Sequence, residues 1–356
     1  MTYPKLVINT DAIRDNSKQI IKLCSSFNVQ LVGVTKVTLG NPVICSVMKE
    51  SGIEVIGESR IQNIQRLIKN GINGPFMLLR IPMKSELRET VKLCDFVLVS
   101  EPQVAEWIDE LSREIQKTVT LIYMVDVGDL REGVWYERAV EEISSVMKSL
   151  RKSKIAGIGT NLGCYGGILP DRENMLRLIE IKDQLERRTH AKIDIVSGGN
   201  TSALKLLEDG SLPEGINQFR VGEAIILGTD VTRNRSIPGL RQDTVLLEAE
   251  IIEMKTKPSV PVGTIGRDAF GRVPSFEDIG LRKRVILALG EQDCVPAHLK
   301  PVIRGTRVIH GSSDHVVVDI TEANQSFDIG DTMRFTMSYA SLLRSMTSPH
   351  VEKVFV

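Results

Sequence analysis

The chain has 356 residues, and 45 lysines and arginines balance 45 aspartates and glutamates, so its formal net charge is zero. This balance argues against nucleic acid or an anionic membrane as the main partner, because both favour a basic excess. We find no run of about 18 apolar residues and therefore expect no transmembrane helix. Five scattered cysteines without a C-x-x-C pair, and a start without a secretory pattern, predict a cytoplasmic protein with reduced thiols.

The first two thirds of the chain alternate short β-branched runs with amphipathic segments. Eight candidate strands cover 30–36, 53–58, 76–80, 96–100, 120–128, 155–161, 193–199 and 218–224. Apolar residues recur at helical spacing between them, over 102–117, 137–151 and 171–188. The strands are mostly apolar on both faces, as a covered parallel sheet requires. Eight regular units favour a closed (β/α)8 barrel over an open doubly wound sheet.

The pattern changes after about residue 230. Candidate strands follow one another with Gly and Pro turns and few helices, over 244–255, 284–289, 306–309, 315–320 and 332–337. This succession predicts an all-β domain, and the N-terminal run 6–9 is expected to pair into it. We therefore predict a barrel over residues 10–230 and a β-domain formed by 1–9 and 231–356.

Three strand ends of the predicted barrel carry residues suited to a phosphorylated cofactor. Lys36 ends the first strand; it is either a solvated charge or, in the barrel mouth, a Schiff-base amine or proton carrier. The Gly-rich run 197–202 enters a helix, so it either binds phosphate through backbone N–H groups or only caps that helix. The segment 220–223 follows strand eight, and the loops after strands seven and eight often bind phosphate. The combination indicates pyridoxal phosphate.

These segments resemble the alanine racemase-like enzymes, which are fold type III pyridoxal-phosphate enzymes. Residues 6–16 resemble their N-terminal strand and first helix, and Val32–Lys36 resembles the strand of the Schiff-base lysine. The loop 126–133 is similar to the loop whose arginine, here Arg131, contacts the phenolic oxygen of the cofactor. The resemblance assigns cofactor binding to Lys36, Arg131, Asn200, Thr201, Ser202, Arg220, Gly222 and Glu223.

Within this superfamily the chain resembles the ornithine racemase branch, through its two-domain length and the Gly-Ser-Ser-Asp-His run at 311–315. The resemblance implies two-base transfer of the α-proton between L- and D-ornithine, with lysine or other basic amino acids as further substrates. It also implies a homodimer with shared active sites, in which residues 312–315 of the partner reach the site.

The second catalytic base departs from the family pattern. The family uses a tyrosine of the partner's β-domain, and the local match here places Ile265 at that position, although racemisation needs an acid or base on the opposite face. The candidates in the β-domain are Asp268, Asp293, Cys294, Asp314 and His315. Cys294 falls where related decarboxylases have a functional cysteine, or it is an inert thiol. We select Lys36, Cys294 and Asp314 as catalytic residues.

The side-chain ammonium of ornithine calls for an unpaired carboxylate in the pocket. Asp129, Glu291 and Asp293 are candidates, and Asp129 is alternatively an ordinary turn residue. We select Asp129, Asp293 and Ser313 as substrate-binding residues and expect no metal ligands.

Three other functions remain open at this stage. One is a non-catalytic carrier of pyridoxal phosphate, and another is a basic amino acid decarboxylase of the same fold. An arginine at position 220, facing the pyridine nitrogen, favours the racemase over the decarboxylase, because it keeps that nitrogen unprotonated. The third is a dinucleotide-dependent oxidoreductase, suggested by Gly157, Gly159 and Gly163, although no acidic residue follows at the required spacing.

Overall fold

The computed structural model describes residues 2–356. The chain divides into two compact units, the barrel unit Ile13–Arg241 and the β-unit, which joins the N-terminal residues up to Ala12 to Gln242–Val356. The barrel unit extends beyond the expected limit at residue 230 because Arg241 is bound to the first helix. Its backbone N–H donates to Asn16 Oδ1 at 2.7 Å, and Asn16 Nδ2 donates to the Arg241 carbonyl at 2.9 Å.

The strands are numbered in chain order. They are β1 (Lys5–Ile8), β2 (Gln30–Val34), β3 (Val55–Glu58), β4 (Phe76–Leu78), β5 (Phe96–Val99), β6 (Thr120–Asp126), β7 (Val134–Trp135), β8 (Lys154–Gly159), β9 (Ile195–Ser197), β10 (Gln218–Val221), β11 (Thr229–Asp230), β12 (Arg235–Ser236), β13 (Val245–Pro258), β14 (Leu281–Leu287), β15 (Leu299–Pro301), β16 (Arg307–Gly311), β17 (Val316–Asp319), β18 (Thr332–Met337) and β19 (Glu352–Phe355).

The α-helices are α1 (Thr10–Ser25), α2 (Pro42–Glu50), α3 (Ile61–Lys69), α4 (Leu87–Leu93), α5 (Pro102–Ile115), α6 (Ala139–Ser149), α7 (Arg172–Thr189), α8 (Leu204–Glu208), α9 (Glu223–Leu227) and α10 (Tyr339–Thr347). The predicted helices at 102–117, 137–151 and 171–188 correspond to α5, α6 and α7. Within residues 2–356, none of the helices is both long enough and apolar enough to cross a membrane.

Eight parallel strands close into a barrel, as predicted. Neighbours pair in the order β2, β3, β4, β5, β6, β8, β9, β10, and β10 returns to pair with β2. Each of these strands overlaps one of the eight predicted runs. The barrel interior is filled by apolar side chains, each at most 3% exposed: Val32, Val55, Met77, Leu98, Ile122 and Met124. The barrel interior is therefore a packed core rather than a pore. Burying one such side chain contributes roughly 1.5–3 kcal/mol to stability.

The β-unit is built on the long strand β13. The order is β15-β18-β13-β14-β17-β16, and β1 pairs antiparallel with β13 and parallel with β19. The predicted pairing of the N-terminal run is therefore confirmed. Helix α10 departs from the expected all-β pattern. Its buried residues Leu342 and Met346 lie one helical turn apart, but a helix of 9 residues is too short for this spacing to be recognised in the sequence.

Candidate active site

Lys36 is the second residue beyond the C-terminal end of β2, where it begins a 3-10 turn that ends at Thr38. Its side chain is exposed in the single chain. The neighbouring strand end approaches this segment very closely: a Cβ on Gly222, which follows β10, would lie 2.9 Å from the carbonyl oxygen of Val34. Position 222 therefore requires glycine, and the ends of β2 and β10, the first and eighth strands of the barrel, meet beside Lys36.

Arg220, on β10, is the buried cation of the barrel mouth. Its guanidinium donates to the Thr160 carbonyl at 2.6 Å and to the Ser197 hydroxyl. Within residues 2–356 it has no carboxylate within 4 Å, although the charges of Glu132 and Arg131 act on it. Burial lowers the pKa of Arg220 to about 10, so the group is still a cation at neutral pH.

The loops after β9 and β10 are joined by a direct hydrogen bond, in which the backbone N–H of Ala224 donates to Thr201 Oγ1 at 3.3 Å. Asn200 organises the first loop. Its Oδ1 accepts from the Ser202 backbone N–H at 2.9 Å and from the Ser202 hydroxyl at 2.7 Å, and its Nδ2 donates to the Leu162 carbonyl. The two loops predicted to bind phosphate, which follow β9 and β10, the seventh and eighth strands of the barrel, are therefore adjacent, as predicted.

The Glu223 side chain is directed away from a role with phosphate. Its Oε1 accepts from Thr229 Oγ1 at 2.8 Å and from the Val231 backbone N–H at 2.9 Å. Burial raises the pKa of Glu223 to about 7, and those two hydrogen bonds act in the opposite direction. Only the backbone of Glu223 is suited to the expected cofactor contact, because its carboxyl group is held by the following turn.

Asp129 is not the unpaired carboxylate that its sequence position suggested. It is 1% exposed, and its two oxygens accept from four backbone N–H groups of one loop, those of Gly163, Cys164, Tyr165 and Ile168, at 2.9 to 3.2 Å. These four hydrogen bonds use the lone pairs that an ammonium ion would need. Asp129 is therefore an anchor that ties the loop after β6 to the loop after β8.

The same loop places Cys164 next to other site residues. The thiol is exposed, and Asn161 Nδ2 donates to its sulfur at 3.0 Å. Arg131, two residues beyond Asp129, pairs with the adjacent Glu132. Sequence reasoning did not select Cys164, although it lies in the loop that follows the sixth predicted strand.

Glu58, at the end of β3, is a second residue that sequence reasoning missed. It is fully buried, and its carboxylate accepts from Thr35 Oγ1 at 2.8 Å, from the Ser59 backbone N–H at 3.0 Å and from Asn63 Nδ2 at 2.9 Å. Thr35 directly precedes Lys36. The available signal was positional, because Glu58 is the last residue of the predicted strand 53–58.

Two candidate residues of the β-unit are buried and therefore do not fit the roles predicted for them. Cys294 is 0% exposed, its thiol donates to the Gly290 carbonyl at 3.3 Å, and burial raises the pKa of the thiol to about 12. A thiol in this state is a poor acid or base at neutral pH. Asp293 is also buried, and it accepts from Ser348 Oγ at 2.7 Å and from the Gly290 backbone N–H. Cys294 is therefore not a suitable catalytic base, and Asp293 is not an unpaired substrate carboxylate.

The remaining candidates of the β-unit lie on its surface. Ser313, Asp314 and His315 are exposed in the turn between β16 and β17. The Asp314 carboxylate accepts from Gln292 Nε2 at 2.6 Å and from Ser313 Oγ at 3.1 Å, and no cation of residues 2–356 lies within 4 Å of it. Glu291 differs, because it is paired with Arg272 and Arg344.

Ile265 and Asp268 lie in the segment between β13 and β14. Ile265 is exposed, and Asp268 pairs with Arg272 at 2.7 Å. No group of three potential metal ligands occurs within the described part of the chain. The glycines that suggested a dinucleotide site have another cause: a Cβ on Gly157 in β8 would lie 2.7 Å from Ile195 Cβ, so this glycine allows close strand packing.

The barrel mouth fits pyridoxal phosphate on structural grounds. It presents a lysine, a buried arginine without a carboxylate partner, and two adjacent loops after strands seven and eight. Thr160, whose carbonyl holds Arg220, has a buried hydroxyl without a hydrogen-bond partner among residues 2–356. Such an orphaned group costs about 1–3 kcal/mol, so the site favours a polar occupant. The arrangement defines a cofactor-binding (β/α)8 barrel enzyme.

The comparisons with known proteins identify the family. Residues 8–230 match the family described as "Alanine racemase, N-terminal domain", and the chain belongs to this family. It is 54% identical to a lysine racemase of Thermotoga maritima over 355 residues, which cover 100% of this chain and 99% of the relative. It is 38% identical to an ornithine racemase of Acetoanaerobium sticklandii over 351 residues, 99% of each. The chain is a pyridoxal-phosphate-dependent amino-acid racemase.

The solved structures agree in fold. An alanine racemase from a D-cycloserine-producing Streptomyces lavendulae matches with a TM-score of 0.77 at 18% identity, covering 100% of this chain and 97% of that chain. At this identity the likeness supports the barrel and the C-terminal antiparallel domain, and it carries no information about the substrate.

Proposed function

We propose that this racemase acts on basic amino acids, with lysine and ornithine both accepted well ahead of alanine. The observation that carries the proposal is the pair of near full-length relatives, a lysine racemase and an ornithine racemase, whose named substrates both end in an ammonium group. The matches span the β-unit as well as the barrel. That coverage supports an enzyme over a cofactor carrier, whose resemblance ends near residue 230.

Lys36 is proposed as the residue that holds the cofactor and moves the α-proton on one face of the substrate. When bound, pyridoxal phosphate withdraws electrons from the α-carbon and so makes its proton more acidic. Lys36 supplies an amine at the strand end where Gly222 brings barrel strands one and eight together. An amine at this position can accept the proton and return it.

The other residues at the strand ends are proposed to hold the cofactor. Asn200, Thr201, Ser202 and the backbone of 222–224 suit its phosphate, because hydroxyls and backbone N–H groups converge there. Arg220 suits the pyridine nitrogen: a buried cation next to that nitrogen disfavours its protonation. Arg131 is proposed to contact the phenolic oxygen, as the family resemblance implies.

The β-unit is proposed to complete the active site of a second copy in a homodimer, the commonest oligomer. Asp314 is the candidate second acid or base, since its carboxylate is exposed and has only neutral hydrogen-bond donors in the described chain. Ser313, next to it, is the candidate substrate contact. Asp314→Asn tests this role. A base serves every substrate, so lysine and alanine turnover would fall equally, whereas a residue that only recognises the side-chain ammonium would affect lysine alone.

Racemisation of L-lysine, L-ornithine and L-alanine, followed by chiral chromatography, tests the substrate. We expect kcat/KM for lysine and for ornithine to exceed that for alanine by about 100-fold or more, because a site built for an ammonium group is left unpaired by alanine. Equal values for alanine and the basic amino acids would remove the proposed specificity and leave the racemase assignment intact.

A further inference from the structure

The phosphate loop, residues 198–202 after β9, has a cationic neighbour to which the proposed function gives no role. Arg233 ends the 3-10 turn that follows β11. Its Nη1 donates to the carbonyl of Ser202 at 2.7 Å, and its Nη2 donates to the carbonyl of Pro170 at 3.1 Å. The Arg233 side chain is only 16% exposed. One partly buried guanidinium therefore ties the phosphate loop to the loop between β8 and α7.

A buried carboxylate holds Arg233 in this position. Asp230 is 1% exposed, and its Oδ2 lies 3.5 Å from Arg233 Nη1. The same oxygen accepts from Arg235 Nε at 3.2 Å, and Oδ1 accepts from Thr232 Oγ1 at 2.6 Å. Arg235 in turn donates to both oxygens of Glu208, at 2.8 and 2.7 Å. Because Glu208 ends α8, this network links the turn of Arg233 to the helix that follows the phosphate loop.

The same turn also packs against the loop after β8. A Cβ on Gly163 would lie 2.8 Å from Thr232 Cγ2, and Gly163 has a φ of +73°. Both the close approach and the left-handed backbone favour glycine at this position. The loops after β8 and β9 are therefore both in contact with residues 230–233.

The hydrogen bond from Arg233 fixes a peptide group on which the phosphate loop turns. The carbonyl of Ser202 belongs to the same peptide group as the N–H of Ala203, which donates to the Asn200 carbonyl at 3.0 Å. Both ends of this peptide group are therefore held. The preceding peptide group is held as well, because the Ser202 N–H donates to Asn200 Oδ1 at 2.9 Å. Thr201, whose hydroxyl can donate to a phosphate oxygen, is thus followed by two fixed peptide groups.

We propose that Arg233 is the positioning residue of the phosphate loop: through the Ser202 carbonyl it holds the loop in the form that binds the phosphate of the cofactor. This inference rests on the proposed assignment of the phosphate to residues 200–202 and 222–224. Arg233 acts without touching the cofactor. A hydrogen bond from a charged donor is roughly twice as strong as a neutral one, and binding groups keep their geometry only when such contacts support them.

The test compares two ligands that differ only in the phosphate group, pyridoxal 5'-phosphate and pyridoxal. Each is titrated into the full-length protein after removal of the cofactor, and the Kd is measured from the absorbance of the bound ligand, without turnover. Arg233→Met removes the donors and keeps the apolar stem, whereas Arg233→Lys keeps the charge and can donate to one of the two carbonyls. Thr201→Val removes the hydroxyl proposed to contact the phosphate.

Lys117 provides a matched control at the opposite end of the barrel. Its Nζ also donates to two backbone carbonyls, those of Lys92 and Cys94, at 3.0 and 2.9 Å, and lies 3.8 Å from Asp95 Oδ1. These contacts join the segments that precede β5 and β6, at the N-terminal ends of the strands. Lys117→Met therefore removes the same kind of contact away from the barrel mouth.

We expect Arg233→Met to raise the Kd of pyridoxal 5'-phosphate by about tenfold and to leave that of pyridoxal within about twofold, because only the phosphate depends on the held loop. Arg233→Lys should give an intermediate rise. Lys117→Met should leave both constants unchanged. Arg233→Gln, which keeps an amide donor without the charge, carries the test if Arg233→Met does not fold.

An equal rise for the two ligands in the Arg233 variants would overturn the inference, because a merely structural role weakens the binding of both. So would an unchanged Kd for pyridoxal 5'-phosphate. The Thr201→Val variant separates this failure from that of the proposed function. If it weakens the binding of pyridoxal 5'-phosphate alone while the Arg233 variants do not, the phosphate site stands and only the role of Arg233 is wrong. If neither residue distinguishes the two ligands, the proposed phosphate site itself is wrong.

Discussion

The buried arginine of the barrel mouth and two buried acids of the β-unit differ in their direct partners. In the β-unit, the buried acids Glu248 and Asp319 lie in ion pairs with Lys5 and Arg282, at 3.1 and 2.8 Å. At the strand ends of the barrel, Arg220 is buried with neutral direct partners. A buried charge without an opposite charge is costly. The β-unit also buries Asp293, with the neutral donors Ser348 and Gly290, so the lack of an ion pair does not by itself mark a functional charge. Arg220 is distinguished by its place at a strand end of the barrel, where perturbed buried charges are typical of functional sites.

The largest expected effect tests the unpaired cation of the barrel mouth. Arg220→Gln keeps a donor for the Thr160 carbonyl and removes the charge, whereas Arg220→Lys keeps the charge. We expect racemisation to fall by about 100-fold or more in the Gln variant, with measurable transamination, and by less in the Lys variant. Chiral chromatography and keto-acid detection measure both. Equal losses in the two variants would mean that geometry, and not charge, is what Arg220 provides.

A smaller effect is expected from the loop anchor Asp129. Asparagine cannot accept all four backbone N–H groups, so Asp129→Asn should lower the free energy of unfolding by about 2 kcal/mol and activity by about tenfold. Hydrogen exchange should accelerate at the amides of residues 163–165 and 168. The control is Asp109 on α5, a buried carboxylate that accepts the backbone N–H groups of residues 151–153, just before β8 begins. Asp109→Asn should cost similar stability and leave activity unchanged, because this contact lies at the N-terminal end of β8, opposite the barrel mouth. Slow exchange in Asp129→Asn would contradict the anchoring role.

The residues of the barrel site could be predicted because, in this fold, functional residues lie at the C-terminal ends of the strands, and the strands can be recognised in the sequence. Lys36 and Arg220 followed from that rule and from the family resemblance. The anchoring role of Asp129 could not, since its four amide partners lie 34 to 39 residues away in sequence and meet it only in the folded chain. In the β-unit no comparable rule distinguishes inside from outside. The turn-rich sequence around Cys294 does not indicate whether its thiol is buried or exposed.

The pH dependence of stability provides a third test, at Glu223. Its pKa in the folded chain, about 7, lies above the ordinary value, so its contribution to stability is complete below about 4.5 and is lost as the pH rises through 7. Glu223→Gln keeps Oε1 as the acceptor for Thr229 and Val231. From pH 5 to pH 8, we expect the Gln variant to gain about 1 to 2 kcal/mol of unfolding free energy relative to the parent. Denaturant titrations that give the same difference in unfolding free energy between the two proteins at pH 5 and at pH 8 would contradict this expectation.

The smallest effect is expected in the core of the β-unit. Cys294→Ala should keep activity within about twofold and lower the free energy of unfolding by roughly 1 kcal/mol, because the thiol packs as a small apolar group. Kinetics and thermal unfolding of the same sample measure both. A loss of activity above tenfold with unchanged stability would restore Cys294 as a catalytic candidate.

The cofactor attachment at Lys36 is the central claim and can be measured directly. Borohydride reduction of the holoenzyme fixes the cofactor on the lysine that carries it, and peptide mapping then locates the pyridoxyl group. The position of Lys36 after β2, beside Gly222 and the loops after β9 and β10, predicts a single adduct on Lys36. An adduct on any other lysine would contradict the assignment of the active site.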